Sequence, residues 1–402
     1  MNNCWSSVQS IGVIFFLCAL SLAAEEIKGS GSGQKGSNTS ATSAGADHWA
    51  IESAAAREKL PLYKIIPAAK PDELTPANGY PRAETFLTWH RSHGDNGGMR
   101  YSALEQIHRG NVTNLEQAWI YHSGDGSNNL QCNPIVVGDI MIAPTAGQFM
   151  VGIKGDTGKE LWRFKPEGRP AFRGLIYWPG TNTAKAPSPQ PSPRPTGRDQ
   201  SAAESTKERA PLQERILFCA GQYVYALEPG SGAVISGFGE NGRARLPGRA
   251  QGGFGAATAG PAIFKEIVVV PGFEKDVWGF DVVTGKHLWT FHTVPQAGEF
   301  GFETWDGVED YGANCWAGMA MDDARGIAYI STGGPKPNFI GVNHLGDNLF
   351  ANCLIALDAR TGSRRWHFQE IAHDLWDRDI SAPPNLATIT RAGKRVDVVA
   401  VI

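Results

Sequence analysis

Through most of the chain, short apolar runs with alternating polar positions are separated by turn residues. PIVVGDIMIAP (134–144), RILFCAGQYVYALEP (215–229), AIFKEIVVVPG (262–272), GIAYISTGG (326–334) and NCLIALDARTG (352–362) share this form. Runs of this length, rich in Val, Ile, Phe and Tyr and bounded by Gly, Pro and Asp, predict β-strands joined by tight turns. Two stretches break the pattern. Residues 29–46 (GSGSGQKGSNTSATSAGA) form a Gly/Ser/Thr tether with nothing to bury, and residues 182–211, containing PSPQPSPRPTG, read as a disordered surface insertion within a strand-rich region.

One strand-turn-strand pattern recurs. TGKELWRF (157–164), TGKHLWTF (284–291) and TGSRRWHF (361–368) match one another, and a degenerate copy begins at Ser231-Gly232. The glycine supplies the positive φ that such a hairpin demands. Trp and Phe, two residues apart on a strand, share a face that can pack on the next unit. Glycine-to-glycine intervals of 74, 53 and 77 residues suit a radial array of four-stranded blades. Coincidental Thr-Gly hairpins in a β-sandwich are the alternative, and three copies with the same downstream Trp-x-Phe argue against it. The chain is therefore expected to be all-β, a β-propeller covering roughly five to six blades over 85–402.

Composition changes this picture little. In 402 residues, 48 Gly and 12 Trp fit turns and aromatic packing, and the formal net charge of −3 offers no attraction to nucleic acid or an anionic membrane. The amino terminus adds more. Residues 11–24 (IGVIFFLCALSLAA) are an apolar run too short to span a bilayer comfortably, ending in the small-x-small Ser21-Leu22-Ala23. They read as an export signal (1–24), although no Lys or Arg precedes the run; a buried helix is the alternative. Residues 25–84 follow as a tether and pre-propeller segment. Export places Cys132, Cys219, Cys315 and Cys353 in an oxidising, periplasmic space as core thiols or one or two disulfides, since their spacing fits no zinc site.

Longer strings carry a family resemblance. HGDNGGMRYSALEQIHRGNVTNLEQAWIYHSGDG (93–126), CNPIVVGD, FRGLIYW, FGENG, FHTVPQAGEFGFETW, GANCWAGMAMD, LGDNLFANCLIALDARTG and HDLWDRDISAPPNL together resemble the pyrroloquinoline quinone (PQQ) dependent dehydrogenases, particularly the glucose and alcohol branch without adjacent active-site cysteines. The first string looks like that family's opening blade. The resemblance implies an eight-bladed ring, PQQ and Ca²⁺ as cofactors, and oxidation of a sugar, polyol or alcohol hydroxyl, with electrons passed to a respiratory quinone or cytochrome. It places the general base at Asp377, also beside the metal, the cofactor's aromatic floor at Trp316, a carboxylate-pairing arginine at Arg173 and a calcium-ligand asparagine at Asn348. Each has a plainer alternative: a turn aspartate, a packed tryptophan, a surface arginine, an Asx turn. In HDLWDRD, Asp374, Arg378 and Asp379 are expected to hold the loop by local bonds, with Trp376 shaping the pocket.

The departures are specific. Gln131 stands where many relatives carry glutamate. Arg169 stands where glucose-oxidising relatives place histidine. The turn after VVVPG holds only Phe273-Glu274-Lys275-Asp276, so that Glu274 or Asp276 substitutes for a further calcium-side acid. Relatives continue past the strand containing Val398–Ile402 with a quinone-contacting lysine and further blades, so a truncated chain, or one completed by a second polypeptide, is expected. A non-catalytic propeller scaffold is the competing function. A nicotinamide site is disfavoured, because Gly252-Gly253-Phe254-Gly255 has no partner acid.

Overall fold

The structure, a computed structural model, describes residues 74–76, 87–126, 130–131, 133–180, 212–248, 259–305, 312–337 and 339–402. All lie within one compact unit, 68–402. The export segment, the Gly/Ser tether, the Pro-rich insertion, Cys132 and the Gly252-Gly253-Phe254-Gly255 stretch fall outside the described residues.

Among the described residues, nineteen strands form five antiparallel sheets. The sequence runs β1 (Leu74–Pro76), then β2 (Ile135–Val137), β3 (Ile140–Pro144), β4 (Met150–Lys154) and β5 (Glu160–Phe164) as the first four-stranded sheet. The second contains β6 (Ile176–Trp178), β7 (Arg215–Ala220), β8 (Tyr223–Leu227) and β9 (Arg243–Arg245). The third contains β10 (Ala262–Phe264), β11 (Ile267–Pro271), β12 (Val277–Asp281) and β13 (His287–Phe291). The fourth contains β14 (Met319–Asp322), β15 (Ile327–Ser331), β16 (Cys353–Asp358) and β17 (Arg364–Gln369). A fifth sheet has three strands in the order β1, β18 (Asn385–Arg391), β19 (Lys394–Ala400). Four complete blades and a three-stranded fifth put the count at the low end of the expected range. The reason is that 93–126 builds no sheet of its own among the described residues, contrary to its reading as an opening blade.

The cores lie in the seams between successive sheets. Ile142, Met150 and Trp162 of the first sheet pack with Ile216, Phe218 and Leu227 of the second. Leu217 and Val224 of the second meet Val268, Trp278 and Phe280 of the third, and Val269 and Trp289 of the third meet Met321, Ile355 and Leu357 of the fourth. Middle strands are therefore covered on both faces, which is why β7 and β16 are buried at every position.

The recurring Trp latches two of the three seams between the four-stranded sheets. Trp162 lies against the turn glycine Gly232 of the next sheet and donates Nε1–H to the Pro229 carbonyl at 2.9 Å. Trp289 lies against Gly362 and donates to Ala359 at 3.1 Å. Trp119, from the segment that failed to form a blade, does the same to Gly158 and the Gly155 carbonyl at 3.0 Å. Each indole lies so close to its glycine that a Cβ there would overlap it. Inside the sheet the same Trp sits opposite another glycine, Gly152 for Trp162 and Gly279 for Trp289, each beside a register shift. In the fourth sheet Ala356 occupies that place opposite Trp366.

Residues 89–98 tie the inner edges together. Trp89 bridges Val136 of β2, Arg91 bridges Ile176 of β6, and the Asn96 amide donates to Ile263 of β10 at 3.1 Å. Met321 of β14 donates its N–H to Asn96 at 2.7 Å, and Leu386 of β18 donates to Gly97 at 3.0 Å. Arg91, 2% exposed, spreads its charge over the carbonyls of Pro261, Asp95, Asn96 and Met319. A buried cation of this kind is tolerable because each of its three nitrogens is hydrogen-bonded.

Candidate active site

Antiparallel alternation puts two kinds of connection at the same end of every blade: the segment entering the first strand, and the loop between the second and third. Gln131 and Arg173 precede β2 and β6, Trp316 precedes β14, and Asp377 precedes β18. Glu274 and Asn348 lie in the second-to-third loops. All the sequence-derived candidates therefore share one end of the propeller.

Within that end, one group of residues is in contact. The Trp316 indole N–H donates to Asp379 Oδ2 at 2.6 Å, and the Gly334 N–H donates to Asp379 Oδ1 at 2.6 Å. Both carboxylate oxygens are thus committed, one to the aromatic ring and one to the loop that follows β15. The Arg173 guanidinium lies 4.6 Å from the Trp316 ring centroid, and its Nε–H donates to Gln131 Oε1 at 2.5 Å. Cation–π contact and a neutral partner let the arginine sit half-buried, with desolvation pulling its pKa below the usual value. Two residues before Asp379, Asp377 has φ +57°, and its Oδ1 lies 3.5 Å from the Lys336 ammonium.

Asp374 behaves as expected, accepting the N–H groups of Trp376 at 2.9 Å and Arg378 at 2.6 Å. It also accepts the Asn352 amide at 3.1 Å. Asp379 does not. Its partners are 45 and 63 residues away in sequence, so the expectation of purely local bonding is corrected. No local pattern distinguishes it from Asp374, because both are aspartates in one turn. Lys336 was likewise missed; its only sequence signal is a basic residue between two prolines.

Asn348 is fully buried. Its Oδ1 accepts the His344 Nδ1–H at 3.0 Å, its amide donates to Leu345 at 3.2 Å, and its N–H donates to Thr304 at 2.9 Å. It ties its loop to the 302–305 turn. Glu274 is half-buried, with its carbonyl against Gly312, and Asp276 is buried with its N–H on Thr293 Oγ1 at 2.9 Å. Among the described residues no three His, Cys, Asp or Glu side chains converge on a point that could hold a metal. Cys219, Cys315 and Cys353 are buried free thiols, and burial pushes Cys219 up to about 12.

Comparison with known proteins now bears on this geometry. The family described as "Glucose/ethanol/alcohol dehydrogenase, beta-propeller domain" matches residues 89–402. The chain belongs to this PQQ dehydrogenase propeller family. It is 31% identical over 340 residues to quinoprotein glucose dehydrogenase A of Acinetobacter calcoaceticus, covering 76% of this chain and 40% of that protein. It is 27% identical over 361 residues to quinate/shikimate dehydrogenase (quinone) of Acinetobacter baylyi, covering 83% and 41%. Among solved structures, quinohemoprotein alcohol dehydrogenase from Comamonas testosteroni superposes with a TM-score of 0.62 at 23% identity, over 79% of this chain and 46% of that one, a likeness of fold. The chain spans about two fifths of the length of the curated relatives it matches.

The family's quinone fits the residues present. A planar aromatic tricarboxylate requires a face to stack on and a cation for a carboxylate; Trp316, fixed by Asp379, offers the face and Arg173 the guanidinium. A calcium cage fits less well. Calcium takes six to eight oxygens, whereas the Asn348 oxygen already accepts from His344 and Asp377 is paired with an ammonium group.

Proposed function

We propose that this chain is the cofactor-binding part of a quinoprotein dehydrogenase that oxidises a hydroxyl of an alcohol, polyol or sugar to a carbonyl in the periplasm. The Trp316–Asp379–Gly334 arrangement carries this reading, because it orients an aromatic floor by a carboxylate drawn from a different loop. PQQ, when bound, supplies an electrophilic quinone carbon able to accept a hydride. Trp316 stacks under it and Arg173 pairs one of its carboxylates, with Gln131 steering the guanidinium. Asp377 accepts the substrate hydroxyl proton as the electron pair of the carbinol C–H bond departs. Of the residues expected to hold calcium, Asp377 alone adjoins the floor through its near neighbour Asp379, with Asn348 and Glu274 supporting loops at the same end. With PQQ bound, a respiratory quinone or cytochrome would be the electron acceptor. The apolar run 11–24 supports export.

A non-catalytic scaffold is the second reading. It is favoured by Trp366, which is 39% exposed where Trp162 and Trp289 are buried. The deciding experiment is to express the mature chain, add PQQ, and follow tryptophan quenching together with dye-linked oxidation of aldoses, polyols and alcohols. Saturable quenching with turnover supports the dehydrogenase; neither one appearing favours the scaffold.

A further inference from the structure

Hydride removal from an alcohol requires positive charge near the oxygens where negative charge develops, and a divalent ion is one way to supply it. Here the group beside the candidate base is an ammonium. Lys336 Nζ lies 3.5 Å from Asp377 Oδ1, and both side chains are 30% exposed, so both reach the same accessible space. Their placement is not independent of the floor. Gly334, two residues before Lys336, and Asp377, two residues before Asp379, flank the same interaction, the Asp379 carboxylate holding Gly334 N–H and Trp316 Nε1–H. One carboxylate thus registers the aromatic floor, the lysine loop and the base loop.

The donor set around Asp377 is poor for calcium. The fully buried Asn348 Oδ1 accepts from the equally buried His344, and no three acidic, His or Cys side chains converge among the described residues. A divalent ion on Asp377 would also sit against the Lys336 ammonium and be repelled by it.

Resting on the dehydrogenase reading above, we propose that Lys336 is a catalytic residue of this site and supplies the positive charge that a divalent cation would otherwise provide. In the step, the O–H and C–H bonds of the carbinol break and its C=O bond forms. The proton goes to Asp377 and the hydride pair to the quinone carbon, while the Lys336 ammonium donates a hydrogen bond to the oxygen on which charge accumulates and keeps its own protons. A lysine serving only as a surface ion pair would leave kcat nearly unchanged when replaced.

The test is calcium titration calorimetry on the full chain, with and without PQQ. It is accompanied by PQQ binding through tryptophan quenching and by dye-linked turnover, both in EDTA and in CaCl₂. The wild-type chain is expected to give no saturable calcium isotherm up to millimolar CaCl₂ and to quench and turn over equally, within twofold, in EDTA and in calcium. Lys336→Met is expected to lower kcat roughly 100-fold with KM changed only a few-fold. Lys336→Asp, by placing a second carboxylate beside Asp377, is expected to acquire calcium binding. A one-to-one calcium isotherm in the wild type that is lost in Asp377→Asn overturns the proposal, as does a Lys336→Met chain with wild-type kcat. Absence of quenching in every cation condition brings down the dehydrogenase reading and this proposal with it. A calcium isotherm in a chain that does quench overturns this proposal alone.

Discussion

The blade seams and the loops of the candidate site solve the same backbone problem in opposite ways. At the seams, left-handed turns are made by glycine: Gly158, Gly232, Gly285 and Gly362 have φ between +69° and +72°. Three of these are covered by an indole that tolerates no side chain. In the site loops, left-handed positions are taken by Phe339, Asn348, Phe350, Asn352, His373 and Asp377, half of the twelve non-glycine residues with positive φ among those described. Such conformations cost about 1–2 kcal/mol each for residues with a Cβ and persist where surrounding contacts over-determine them. The blade-seam turns avoid this cost with glycine, whereas the site loops carry it at six positions, Asp377 among them.

Breaking a seam should have the largest effect. Trp289→Ala removes a 7%-exposed indole from the joint between the third and fourth sheets and is expected to destabilise by about 3–5 kcal/mol in urea unfolding. Trp366→Ala tests the other side of the same motif, because that ring has no glycine turn against it in the described residues.

The axial segment gives a pH-dependent version of the scaffold's stability. Burial, then the neighbouring Arg91 and Arg100, hold His93 neutral with its pKa lowered from 6.5 to about 3. The unfolded chain therefore binds a proton that the folded chain refuses. The stability associated with neutral His93 is fully present above pH 6.5 and is lost as the pH falls from 6.5 toward 3. Urea midpoints measured across this window should fall with pH, and His93→Gln should flatten the slope.

Within the site, Asp379→Ala should cost about 1–3 kcal/mol, since it strands the Trp316 and Gly334 N–H groups, and it should abolish PQQ quenching. Asp377→Gly should do the reverse. It relieves a positive φ and is expected to leave stability unchanged or raise it by up to about 1 kcal/mol while eliminating turnover. Trp366→Ala, at 39% exposure, should produce the smallest change, below about 1 kcal/mol in the same unfolding assay.

The blades were legible because their signals are local: alternation, a Thr-Gly turn, and a Trp-x-Phe pair fall within eight residues, and the hairpins follow. Segment 93–126 resembles the family's opening blade in sequence but builds no sheet of its own among the described residues. Its partners are the inner edges of the third, fourth and fifth sheets and a turn of the first, all distant in sequence or outside any local pattern. Trp316, Arg173 and Gln131 were legible as a set only through family resemblance, yet the structure brings these three together. Asp379 and Lys336 were not legible, since an aspartate that reaches 63 residues back to an indole looks like any turn aspartate in sequence. Asn348 carried a strong motif, and its buried bonds to His344 and Leu345 are the kind an Asx-rich loop makes for itself.

The central claim is that two aspartates two residues apart divide the work, Asp379 holding the floor and Asp377 taking the proton. A PQQ titration by tryptophan quenching, run beside dye-linked turnover for the wild type, Asp377→Asn and Asp379→Ala, tests it most directly. Asp377→Asn is expected to quench like the wild type without turnover, and Asp379→Ala to lose quenching. Retained quenching and turnover in Asp379→Ala, or lost quenching with Asp377→Asn alone, would contradict it.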